Sequence, residues 1–67
     1  MAQGTVKWFN ATKGYGFIAP TGGGSDVFVH ITAVQAAGLQ GLKDNQTVTY
    51  DPLEERGRVS AVNLKVA

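Results

Sequence analysis

The segment Asp26-Val27-Phe28-Val29-His30-Ile31 alternates strictly between two chemistries, with Asp, Phe and His at one parity and Val, Val and Ile at the other. Successive side chains on a β-strand point to opposite faces, so these are two surfaces of one strand. A set containing Asp and His makes a poor core, whereas three β-branched aliphatics make a good one. Phe28 must therefore point outward with His30. The preceding run, Tyr15-Gly16-Phe17-Ile18, obeys the same logic: Ile18 suits the core beside Val27 and Val29, which leaves Tyr15 and Phe17 outside. An aromatic on a strand is ordinarily a core residue. Here that assignment would bury Asp26 and His30 and expose three aliphatics, so an outward aromatic surface is the expectation. Exposed aromatic clusters mark interaction surfaces.

The rest of the chain repeats the pattern of short alternating runs broken by glycine and polar turns, which is the signature of a small all-β sandwich or barrel. Five strands are predicted, over about residues 4–10, 15–19, 26–31, 46–53 and 58–66, with a turn at Glu54-Glu55-Arg56-Gly57 before the last. Between strands three and four the period of two is lost. Thr32-Ala33-Val34-Gln35 matches a capping box, and Gly38 supplies a stop, so a single helical turn is predicted there, with Leu39 and Leu42 anchoring its exit. Five short strands with one interruption suit an antiparallel barrel better than an open sheet, because closure removes exposed edges. Strand one is ambiguous. Strict alternation pairs Lys7 with Phe9 on one face and Val6 with Trp8 on the other, which buries Trp8; a bulge near the strand end would turn it outward.

Composition narrows the chemistry. A chain of 67 residues holds one domain, here 1–67, and with no cysteine it has neither disulfides nor thiolate ligands. Its one histidine, His30, builds no metal site alone, and no apolar run approaches the ~20 residues of a membrane span. No cofactor, metal or small-molecule substrate is expected. Met1-Ala2-Gln3-Gly4 has neither the basic nor the apolar part of a secretion signal, so a cytoplasmic location is expected, and the sequons at Asn10 and Asn45 read as chance matches. Catalysis finds little support. Gly22-Gly23-Gly24 lacks the Gly-Lys-Ser/Thr of a phosphate loop, Glu54 and Glu55 diverge in a turn, and His30 has no nucleophile beside it. A groove for proline-rich peptides would also expose aromatics, and it stands as the rival binding class.

A net charge of only +1 does not itself point to nucleic acid, and for a polyanion something other than bulk charge must supply much of the affinity. Stacking can supply it. Same-face residues on a strand lie about 6.6 Å apart and neighbouring strands about 4.8 Å apart, so Phe9, Tyr15, Phe17, Phe28 and His30 can hold several flat groups side by side. A duplex hides its base faces in a stack with a rise of about 3.4 Å; an extended single strand offers them. Each stacked base is worth roughly 1–3 kcal/mol. Lys7 and Lys13 lie next to the aromatics, and Arg56 and Arg58 flank the last turn, the interleaving that a backbone-tracking groove needs.

Lys13-Gly14-Tyr15-Gly16-Phe17-Ile18 resembles the first ribonucleoprotein motif of the cold-shock domain family, and Val27-Phe28-Val29-His30 resembles the second. Lys7-Trp8-Phe9-Asn10 and the run from Gly57 to Asn63 are also similar, so the resemblance covers nearly the whole chain. It implies a five-stranded oligonucleotide-binding barrel (OB-fold) for single-stranded RNA and DNA, and a monomeric cytoplasmic RNA chaperone. Carried over by position, it implies base stacking on Trp8, Phe9, Tyr15, Phe17, Phe28 and His30, with Lys7 and Lys13 on the backbone. Two positions depart from the family pattern. Ile31 stands where an aromatic is frequent, and Leu39 where a Phe is; each costs a stacking platform, so a narrower or weaker site is expected.

Overall fold

The computed structural model describes residues 1–66, Glu55 by its backbone alone. Strands β1 (Ala2–Asn10), β2 (Tyr15–Pro20) and β3 (Val27–His30) come first, then one short helix, α1 (Ile31–Ala36), and then β4 (Thr47–Glu55) and β5 (Arg58–Val66). They close into a barrel in the order β1-β2-β3-β5-β4. Neighbours are antiparallel except where β3 meets β5, a parallel contact made at Phe28↔Ser60. This is the five-stranded barrel with one helical interruption that the alternation predicts. No helix among the described residues is long and apolar enough to cross a membrane.

The inward parity is as expected. Val6, Ile18, Val27, Val29, Val48, Ala61 and Leu64 are buried from the strands, and Val34 and Leu42 are buried from the connection between β3 and β4. Tyr50 joins them almost completely buried, a large aromatic inside the barrel. Burial of a Val or Ile side chain is worth roughly 1.5–3 kcal/mol, so a core this small depends on nearly every member.

Two details depart from the sequence reading. Helix α1 begins two residues earlier than the Thr32 capping box implies. Ile31 is its first residue and the N-cap is His30, in an extended conformation (φ −98°, ψ 151°), whose Nδ1 accepts from the Thr32 N–H at 3.2 Å. Ile31 leaves the strand parity and packs, half-buried, against Gly14. The exit is as expected: Gly38 takes a left-handed φ of +81°, its N–H donates to Gln35 O, and the Leu39 N–H donates to Val34 O, closing the helix end. The last turn is also tighter than expected. Glu54 and Glu55 belong to β4, and the hairpin is the two-residue pair Arg56-Gly57, with φ of +52° and +75°, the twist that suits a two-residue hairpin.

Candidate nucleic-acid interface

The outer face of the barrel is organised by β2, the strand between β1 and β3. Gly16 and Ile18 point inward, and Tyr15 and Phe17 point outward. Gly16 is required by close approach: a Cβ there would lie 2.4 Å from the Trp8 carbonyl oxygen and 2.7 Å from the Phe9 Cα. The backbone of β1 thus lies directly over this position.

Strand β1 resolves its ambiguity through a bulge. Val6 pairs with Ile18 and Trp8 with Phe17, so Lys7 is the extra residue between two consecutive positions of β2. The bulge reverses the parity of the residues beyond it. Val6 stays in the core, while Trp8 turns outward and is 40% exposed. The same reversal corrects the placement of Phe9. It pairs with Gly16, faces inward and packs half-buried against the core, lining a hollow with Leu39 and Leu42 instead of sharing the outer face with Tyr15 and Phe17.

Cross-strand register then sets the aromatics in two rows. One runs Trp8↔Phe17↔Phe28↔Ser60 across four strands, and the other runs Asn10↔Tyr15↔His30 across three. Within this array Trp8 lies 5.6 Å from Tyr15 and 5.5 Å from Phe17 between ring centroids, both edge to face. Phe17 meets Phe28 at 5.8 Å, again edge to face, whereas Tyr15 and Phe28 lie nearly parallel at 5.9 Å. His30 is next to Phe28 at 6.3 Å. Tyr15, Phe17 and Phe28 are therefore half-buried among their neighbours while Trp8 and His30 stay exposed, and aromatic contacts of this kind contribute roughly 0.5–1.5 kcal/mol each beyond area burial. The arrangement offsets part of the cost of an outward aromatic surface.

Polar groups frame the array. Lys7 Nζ is 3.1 Å from the Asp26 carboxylate in an exposed ion pair. Lys13 is exposed in the turn between β1 and β2, which Asn10 holds by accepting the Lys13 N–H on its side-chain oxygen and the Gly14 N–H on its carbonyl. At the far end of the first row the Arg58 guanidinium lies over the Phe28 ring, 5.0 Å from its centroid. Of the residues expected in the site, Trp8, Tyr15, Phe17, Phe28 and His30 form one surface with Lys7 and Lys13 at its margin, and Phe9 lies beneath it. Arg58 is the site-edge residue that the alternation did not place. The signal was its position two residues before Ser60, hence on the same face of β5. No group of three or more metal-ligating side chains is found among the described residues.

Residues 2–67 match the family model described as the 'Cold-shock' DNA-binding domain. The chain belongs to the cold-shock domain family. It is 60% identical over 67 residues to a probable cold shock protein, y4cH, of Sinorhizobium fredii, covering 97% of each chain. It is 54% identical over 69 residues to cold shock protein CspA of Rhizobium meliloti, with both chains covered completely. Cold shock protein ScoF of Streptomyces coelicolor is 48% identical over 67 residues, again with both covered completely. Family membership makes nucleic acid the partner class of this cold-shock domain.

Proposed function

We propose that this cold-shock domain binds single-stranded RNA and DNA by stacking bases on Trp8, Tyr15, Phe17, Phe28 and His30, and acts as an ATP-independent RNA chaperone. The observation that carries the reading is the row Trp8↔Phe17↔Phe28, three outward rings in register on three adjacent strands. Rings 5.5–5.8 Å apart suit bases that have been drawn out of a stack, since duplex stacking at about 3.4 Å exposes no faces to such a surface. Three or four stacked bases at roughly 1–3 kcal/mol each, reduced by the cost of ordering the strand, support micromolar binding or tighter. Lys7 and Lys13 contact the sugar–phosphate backbone beside the rings. Phe9, being beneath the surface, contributes by supporting Gly16 and by lining the hollow near Leu39, where a strand leaving the platform meets an aliphatic in place of a ring.

The chaperone action is a consequence of mass action. A protein that holds only the opened strand shifts a hairpin toward its opened form by its differential affinity, with no energy source. The protein acts as a monomer of one domain, 1–67, in the cytoplasm, without cofactor or catalysis, and through opened RNA it regulates translation or transcription. The test is a titration of Trp8 fluorescence with a pyrimidine-rich oligonucleotide, its duplex and a proline-rich peptide. Saturable quenching by the single strand alone is expected. Equal response to the duplex, or a response to the peptide only, overturns the reading.

A further inference from the structure

The first aromatic row does not stop at a ring. It ends on β5 at Ser60, and Arg58, two residues earlier on the same strand, covers the exposed side of Phe28 at 5.0 Å. Phe28, Arg56, Arg58 and Ser60 together line an open hollow of about 310 Å³ at the mouth of the β4–β5 hairpin. The aromatic surface therefore runs directly into a cationic one, and the two share the Phe28 ring. Among the described residues, no other ring of the platform has a charge lying over it.

We infer that this hollow is the phosphate side of the Phe28 subsite, in which Arg58 holds the ring of Phe28 until a base arrives and then takes the phosphodiester of that same nucleotide. The inference rests on the single-strand reading above. A guanidinium on an exposed aromatic is held less firmly than a base stacked on it, so the base displaces the cation. The displaced guanidinium is carried on the strand that borders the ring and has a planar fork of donors suited to phosphate oxygens. The Ser60 hydroxyl lies at the end of the row, where the sugar or base edge of that nucleotide would sit. Arg58 thus serves as a placeholder in the free protein, keeping Phe28 from pairing with other apolar surfaces, and as a backbone contact in the bound one. The partner chemistry is a phosphodiester next to a stacked base, one nucleotide beyond those held by Trp8 and Phe17.

The experiment measures affinity for an oligothymidylate of about seven nucleotides across a series of salt concentrations, a length within the site sizes such barrels hold. The parent protein, Arg58→Gln, Arg58→Lys and Phe17→Ala are compared. Arg58→Gln should weaken binding several-fold at low salt and reduce the slope of log K against log salt by about 0.7, the value of one phosphate contact on a single strand. Arg58→Lys should retain the slope, because it retains the charge. Tighter binding by Arg58→Gln with an unchanged slope makes Arg58 a competitor for the ring and nothing more, and overturns the inference. So does an Arg58→Gln protein that matches the parent in both affinity and slope. Failure of the single-strand reading itself looks different: the parent would not bind, or Phe17→Ala would bind as the parent does.

Discussion

Phe17 and Val29 sit on adjacent strands with opposite parities, and the contrast between them is the sharpest single-residue test of the surface. Phe17 points outward among Trp8, Tyr15 and Phe28, whereas Val29 is completely buried. Phe17→Ala should lower affinity for a single-stranded oligonucleotide by about 5- to 150-fold, the equivalent of one stacked base at roughly 1–3 kcal/mol. Its effect on stability comes from a half-buried ring and its edge-to-face contacts, the latter roughly 0.5–1.5 kcal/mol each beyond area burial, and urea denaturation should leave it folded in water. Val29→Ala should cost about 1–3 kcal/mol of stability while binding per folded molecule stays at the parent value. If Phe17→Ala binds normally per folded molecule, the outward face is not the binding face. Tyr50 allows a second test at this scale. Burial raises its phenol above the ordinary 10.0, because ionisation would place a charge in the core. The unfolded chain therefore loses the Tyr50 proton before the folded one does, so the stability this group contributes is complete below about pH 10 and is lost as pH rises further. Denaturation midpoints of the parent should accordingly fall more steeply above pH 10 than those of Tyr50→Phe. Parallel pH dependences for the two proteins would show that the phenol is not buried inside the barrel.

At the scale of elements, the strands were legible because each has an aliphatic parity that admits only one inner face. That argument is strong for β2 and β3, where Ile18, Val27 and Val29 leave the aromatics no choice. It fails on β1 because alternation assumes one residue per step, and Lys7 is an extra residue that β2 does not match. A bulge is dictated by the partner strand, so no reading of β1 alone distinguishes Trp8 outside from Trp8 inside. Phe9 departs from its expected face for the same reason. The helix starts two residues before its expected position because the usual cap rules favour Ser, Thr, Asp and Asn, whereas here an imidazole nitrogen accepts the first free amide. Gly16 carries the junction between β1 and β2, and Gly16→Ala tests it. The added methyl would collide with the Trp8 carbonyl at 2.4 Å, and the backbone must move to admit it. A loss of about 1–3 kcal/mol is expected, as for other overpacked sites, together with a changed Trp8 emission spectrum in the folded protein as the bulge shifts. A fully stable variant with unchanged emission would place the strands farther apart than this contact requires.

For the molecule as a whole, the closed barrel lets a nearly neutral protein serve a polyanion. Its strand order carries one row of outward residues from β1 through β2 and β3 to β5, a continuous path that no pair of sequence-adjacent strands supplies. That path was only partly legible in sequence. The aromatic half comes from parity within β2 and β3, but the cationic end depends on β3 meeting β5, two strands separated in the chain by α1 and β4. Charge is sparse along it. Lys7 is engaged by Asp26 at 3.1 Å, which leaves Lys13 and Arg58 as the cations nearest the rings without a described carboxylate at the same distance. Exposed ion pairs of this kind contribute about 0–1 kcal/mol, so phosphate can compete for Lys7 at small cost. Two or three neutralised phosphates at about 0.7 each predict a slope of log K against log salt near −1.5 to −2. The Phe17→Ala protein should bind more weakly with that same slope, since a base stacked on an uncharged ring releases no counterion. Fluorescence titrations of the two proteins over a range of salt check both statements together. A slope steeper than about −4, or one that falls on removal of the Phe17 ring, would make charge the main term and reduce the aromatic rows to a structural surface.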